Sequence, residues 1–364
     1  MKPRPQSILA VVLAFLTAAC VPGGPPPSAS SSRSSQAEPT SGDRSGTALI
    51  ITGAAARIPQ EAALLEALDS RGMLNDVVFV SGVSSGALNA VALNGILSGN
   101  LSWERYRSIL FALRSEDVFL RRGKRLPVDT APARELFRRV AVLELGYRRV
   151  GDLPIPTAIT VTRLRDLGLE KTAYRLCSVP INPESDPDLG LADVLAATTA
   201  IPVVFPPVRI PGVRTIPDLD YMDGGASEDY LPYKALLEFE RYRGKGVDRV
   251  LVVTRKFDQG PDISEELALL GVDDHRVLDY LGVSFDRIAD RKFRKSLEEF
   301  ARAAPETAAR TLVWIPEFPE KFLLLDFGSL EAQYRRTLAW AAGNFPVPLS
   351  EYLGRNPGAR APGS

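Results

Sequence analysis

Val77-Val-Phe-Val-Ser-Gly82-Val-Ser84-Ser-Gly86-Ala-Leu-Asn89, running on to Leu97, decides the fold. Val77 to Ser81 is a short run rich in apolar, β-branched chains, the composition of a buried strand. Gly86 to Leu97 has the length and composition of a helix. Between them Gly82-Val83-Ser84-Ser85-Gly86 matches G-x-S-x-G, a sharp strand-to-helix turn that projects a serine Oγ into a cleft. The helix N-terminus behind such a serine favours negative charge. The bare pattern also occurs in structural tight turns; the flanking strand and helix give it mechanical meaning.

Outward from the turn the alternation continues. Ala48-Leu-Ile-Ile-Thr52 reads as a buried strand, and Gln60 to Ser70 carries Ala63, Leu64, Ala67 and Leu68 on one helix face, with Gly72 placed to end it. Strand, helix, strand, helix predicts a βαβα unit with parallel strands and a right-handed crossover. Further strands are predicted at Thr157 to Arg163, Thr172 to Ser178, Arg249 to Thr254 and Leu312 to Ile315. Helices are predicted at Trp103 to Leu113, Arg134 to Leu145, Leu278 to Ala303 and Leu330 to Ala341. The fold expected is α/β, a three-layer α/β/α sandwich with a mainly parallel central sheet over residues 48–355. Helical insertions are expected between Ser98 and Pro154, and no internal repeat or second domain is evident. Residues 356–364, rich in Pro and Gly, read as a frayed end.

Composition narrows the chemistry. In 364 residues Lys plus Arg and Asp plus Glu each number 44, so the chain lacks the basic footprint of a general nucleic-acid binder. Two cysteines cannot build a Cys-rich zinc site, and one histidine removes any mechanism that needs two. Ser84 needs a base. The order Ser84, Asp223, His275 matches an α/β-hydrolase triad, but such folds place several strands before the elbow, and here one precedes it. His275 lies in Val272-Asp-Asp-His-Arg-Val277, which reads as a polar helix start on the surface.

The first 47 residues do not read as domain material. Lys2 and Arg4 precede an apolar run from Ile8 to Leu16, too short for the ~20 apolar residues of a membrane span. Thr17-Ala-Ala-Cys20 then resembles a bacterial lipoprotein signal, cut between Ala19 and a lipidated Cys20, although Thr17 holds the slot where such signals favour Leu. An ordinary signal peptide with an incidental cysteine is the alternative. Val21 to Thr47 is dense in Pro, Ser and Gly and reads as a flexible tether. The expected division is 1–19 signal peptide, 20–47 lipidated tether, and a domain held at a membrane surface of the bacterial envelope. Val21 after the cysteine resembles the outer-membrane sorting pattern. Cys177, then the only thiol of the folded part, is expected in a buried strand.

Three separated blocks resemble the patatin-like phospholipase family. Gly53-Ala-Ala-Ala-Arg57-Ile58, leading into Ala63-Leu-Leu-Glu-Ala-Leu68, aligns on the family's G-G-G-x-R-G turn and helix. Gly82-Val-Ser-Ser-Gly-Ala-Leu-Asn89 is similar to its elbow. Ala196-Ala-Thr-Thr-Ala-Ile-Pro-Val-Val-Phe-Pro-Pro207, followed by Tyr221-Met-Asp223-Gly224-Gly225, is similar to its small-residue/Pro segment and Asp-Gly-Gly. The resemblance implies a Ser–Asp dyad with no histidine: Ser84 as nucleophile, Asp223 as proton acceptor, and no metal or organic cofactor. It implies an oxyanion hole from Gly53, Ala54, Ala55 and Arg57, with Arg57 orienting the loop or an anionic headgroup. Gly82 and Gly86 support the elbow, and Gly224 and Gly225 bring the carboxylate to Ser84. Acyl-lipid or phospholipid substrates are implied. The departures are Ala54, Ala55 and Ile58 at family glycines, and Asp229 in place of a supporting Asn. They keep open a second reading, a scaffold that binds lipid or an envelope protein without turnover. Leu110, Phe111, Leu136 and Phe137 suit either an acyl-chain groove or ordinary core.

Overall fold

Among the described residues, nine strands form one sheet: Thr47–Ile51 (β1), Val77–Val83 (β2), Thr157–Arg165 (β3), Gly168–Cys177 (β4), Val208–Arg209 (β5), Asp220–Asp223 (β6), Arg249–Val253 (β7), Thr311–Trp314 (β8) and Val347–Pro348 (β9). This computed structural model describes residues 43–120, 126–165, 168–202, 204–213, 219–258, 263–271 and 284–355. The expected signal peptide, Cys20, His275 and the tail after 355 lie outside the described residues. Strand order is β5-β6-β3-β2-β1-β7-β8-β9, with β4 on the other edge of β3. The central five strands, β3-β2-β1-β7-β8, are parallel, and antiparallel pairs finish both sides.

Burial on both faces explains why these strands read as continuous apolar runs. Alternate residues of β1 serve opposite layers. Ala48 and Ile50 meet Phe79 and the aromatic faces of Tyr233–Arg243 and Phe285–Ala303. Leu49 and Ile51 meet Leu64, Leu68 and Leu93, which come from helices Ile58–Ser70 (α1) and Ser85–Leu97 (α2). Gly72, at φ 69, follows the end of α1. The chain is thus the three-layer α/β/α sandwich expected from its sequence. Cys177 is buried in β4, and desolvation pushes its thiol up to about 12.

Three expectations change. Residues ahead of Ala48 already bond to the domain: the Ser45 N–H donates to Gly246 O at 3.1 Å and the Gly46 N–H to Asp248 Oδ2 at 2.9 Å. The helix expected from Arg134 begins at Ala131, helped by Pro132 in its first turn (α4, Ala131–Phe137), and continues as a π-helix over Arg138–Glu144. In the third case, β5, β6 and helices Leu191–Thr198 (α5) and Tyr233–Arg243 (α6) add to the elements predicted. Of the helix expected over 278–303, Phe285–Ala303 (α7) is described.

One detail of register positions the site. β2 pairs with β3 through Thr160, opposite Val83, and β6 pairs with β3 from Val161, opposite Asp223. Because β4 occupies the other edge of β3 over the same residues, β2 and β6 must share one edge. The parallel strand ending at Val83 and the antiparallel strand ending at Asp223 therefore meet tip to tip. Their last residues come together at the carboxyl end of the sheet, where open α/β folds bind ligands.

Candidate active site

The elbow is strained and tightly enclosed. Ser84 has φ 55 and ψ −133, a conformation that costs a non-glycine residue about 1–3 kcal/mol unless its surroundings enforce it. They do. A Cβ on Gly86 would stand 2.2 Å from Thr52 O, and one on Gly82 would stand 2.7 Å from Gly86 O, so strand and helix close on the turn only without side chains there. The Ser84 N–H donates to Thr198 Oγ1 at 2.9 Å, and the Thr198 hydroxyl donates to Thr160 O at 2.7 Å. α5 thereby pins the elbow to β3. Thr198 sits in the quoted Ala-Ala-Thr-Thr block, but nothing in the sequence assigned it this task.

Asp223 ends β6 opposite this turn and is 7% exposed. Its carboxylate accepts a hydrogen bond at 2.8 Å from the Gly225 N–H to Oδ1, and the nearby Ser84 hydroxyl favours its charged form. Gly224 makes the approach possible, since a Cβ there would lie 2.5 Å from Thr160 O. Desolvation pushes Asp223 up to about 6, against the opposing pull of Ser84, the Gly225 amide and the Lys292 charge. A carboxylate near that value is a far better proton acceptor at neutral pH than one in water.

The loop after β1 closes over the pair. A Cβ on Gly53 would lie 2.9 Å from Ser84 Cβ, so this residue presses on Ser84. The Ala54 N–H donates to Ser85 Oγ at 2.7 Å, the Ala56 N–H to Leu324 O at 2.7 Å and the Arg57 N–H to Ala54 O at 2.9 Å. Those three amides are engaged inside the protein, which leaves Gly53 and Ala55 as the loop's candidates to meet an oxyanion. Ala55, at φ 48, reaches the cavity wall beside Ser84.

That cavity has a volume of about 350 Å³ and is lined largely by apolar chains, among them Ile58, Leu88, Leu136, Phe137 and Phe205. A second void of about 70 Å³ shares Ile58, Leu88, Leu136 and Phe137 with it and extends to Leu110, Ala141 and Leu145. The residues weighed as groove or core serve both roles: Leu136 and Phe137 line both spaces, Leu110 lines the second, and Phe111 packs edge-on against Tyr334.

A family model described as patatin-like phospholipase matches residues 49–237, just over half of the chain. The chain belongs to the patatin-like phospholipase family. No curated protein matches it. Among solved structures, VipD from Legionella pneumophila is similar with a TM-score of 0.40 and 10% identity, over 82% of this chain and 67% of VipD. Human GIVD cytosolic phospholipase A2 is similar with a TM-score of 0.31 and 13% identity, over 62% of this chain and 45% of that enzyme.

Within this patatin-like domain two expected contributions are corrected. Arg57 supplies no donor to the cleft: its side chain is fully buried, with Nη1 2.5 Å from Asp286 Oδ2 and 3.0 Å from Lys256 O. Arg255 Nη1 approaches the other Asp286 oxygen at 2.7 Å. Burial opposes ionisation of Asp286, but Arg255 and Arg57 outweigh it and hold the carboxyl below its usual range. Arg57 therefore orients the loop from behind and cannot touch a headgroup. Ala54 drops out as an oxyanion donor because Ser85 captures its amide. Asp229, in place of the family Asn, is buried and pairs with Arg175 at 3.2 Å. Lys292 is the contributor sequence reasoning missed: its Nζ donates to Gly225 O and Ala226 O at 3.4 Å each, from a helix with no motif to mark it.

Proposed function

We propose that this patatin-like phospholipase is a serine acyl-hydrolase of phospholipids or related acyl lipids, with Ser84 and Asp223 as a two-residue machine. The observation that carries the reading is the strained Ser84 elbow beside the buried, proton-hungry Asp223 at the head of an apolar cavity. Ser84 Oγ attacks the ester carbonyl carbon as its proton passes to Asp223. The carbonyl π electrons move onto oxygen, and the amides of Gly53 or Ala55 stabilise that oxyanion. Collapse breaks the ester C–O bond, Asp223 returns the proton to the departing alcohol oxygen, and the acyl group stays on Ser84. Water then attacks the acyl carbon and gives its proton to Asp223. A second collapse frees the fatty acid and re-protonates Ser84. Nothing in these steps requires His275.

The apolar cavity supports an acyl chain as the group held next to Ser84. The leader supports an exported protein, lipidated on Cys20 and tethered through residues 21–42 to a bacterial envelope membrane, with the outer membrane favoured by Val21. The test is labelling by a fluorophosphonate probe, which phosphonylates an activated serine. Wild type labels; Ser84→Ala does not, and Asp223→Asn labels at least about a hundredfold more slowly, the lower end of the range for loss of a general base. Folded wild type that shows no Ser84-dependent labelling favours the scaffold reading, for which the captured Ala54 amide is the supporting observation.

A further inference from the structure

α7 lies outside the residues matched by the family model, yet it reaches both arms of the site. Near its start, Asp286 anchors Arg57 behind the oxyanion loop. Further along, the Lys292 ammonium bonds the carbonyls of Gly225 and Ala226, the turn whose amide holds Asp223 Oδ1. Two long hydrogen bonds to neutral carbonyls are poor compensation for drawing an ammonium half out of water. Burial accordingly weakens the hold of Lys292 on its proton, while the Asp223 charge opposes that loss and Lys295 adds to it. The remaining groups facing Asp223 are the Ser84 hydroxyl, the Gly225 amide and Tyr230.

We propose that Lys292 is a positioning residue for the reaction, fixing the turn after Asp223 and keeping a positive charge beside the carboxylate so that it stands ionised and aimed at Ser84. This rests on the Ser84–Asp223 reading, so the test needs a readout independent of turnover. Full-length protein carrying 13C-carboxyl aspartate is titrated by NMR, with Asp223→Asn assigning the resonance, alongside kcat/KM against pH on a short-chain p-nitrophenyl ester. In wild type Asp223 titrates near pH 6 and kcat/KM falls as pH drops through it. Removing the cation favours the protonated acid, so Lys292→Met moves both curves upward by about half a pH unit. That shift is roughly a threefold loss of kcat/KM at pH 5 with little change at pH 8.

Lys292→Gln, which retains a donor for the carbonyls, shows the same upward shift and serves if the Met variant is unstable. Lys292→Arg keeps the wild-type curve. An Asp223 titration unmoved in Lys292→Met or Lys292→Gln overturns the proposal, whatever happens to kcat, because it marks a brace with no hold on the carboxylate. A shifted titration in a protein without Ser84-dependent turnover upholds the coupling and sinks the hydrolase reading instead.

Discussion

Ala55 occupies φ 48 in the loop after β1, the left-handed region where a Cβ costs on the order of 1–2 kcal/mol. The family pattern has glycine here, so this chain keeps the glycine-like backbone while carrying the penalty of a side chain. Its neighbour Ala54, at φ −133, adopts an ordinary backbone and has turned its amide to Ser85. Substitution Ala55→Gly should therefore raise unfolding free energy by about 1 kcal/mol, read from urea titrations, with labelling of Ser84 retained. Destabilisation by that change would mean the loop is not strained at this position. The motif letters show which residues stand in the loop, not which of their amides are already engaged. Ala54 and Arg57 could not be separated from Gly53 and Ala55 by sequence, because a backbone donor leaves no mark on residue identity.

At the scale of elements, the helices that carry chemistry are those whose ends press on β-strand tips. α5 delivers Thr198 beneath the elbow, where its hydroxyl satisfies one buried N–H and one buried carbonyl together. Thr198→Val keeps the shape and leaves both groups without a partner, at about 1–3 kcal/mol each. Stability should fall by roughly 2–4 kcal/mol in denaturant titration, and kcat by about tenfold as Ser84 loses its fixed aim. Thr198→Ser restores both. Unchanged kcat in a folded Thr198→Val protein would show that the elbow holds its geometry without this bond. β1, β2 and β7 were legible because burial on both faces writes an apolar run into the sequence. β6 was not: Asp220–Asp223 is four residues with an acid at each end, and its strand character comes from pairing with β3. α5 escaped for the same reason, being eight residues long.

At the scale of the molecule, the cavity belongs to no single element. Its wall draws on Ala55 and Ile58, the elbow, α4, the 196–209 segment and Leu325 with Phe327, stretches far apart along the chain. Local periodicity could place each stretch on a helix or loop, but their convergence depends on the sheet order, so the groove and its extent were not readable from sequence. The second void shares Leu136 and Phe137 with the cavity and reaches the π-helical segment that carries Ala141. A chain esterified at Ser84 and running past Leu136 and Phe137 would place its distal end there. Filling that end should discriminate by length: Ala141→Phe puts a ring into the void and excludes the far carbons of a long acyl chain while leaving the mouth untouched. Each methylene denied burial forfeits about 0.8 kcal/mol. With a series of acyl esters from short to long, kcat/KM should fall for the long members by at least about tenfold and hold for the short ones. Overpacking itself costs about 1–3 kcal/mol of stability, so the comparison between chain lengths within the same variant carries the test. A uniform loss across the series would place the acyl chain elsewhere and leave the second void as a packing defect.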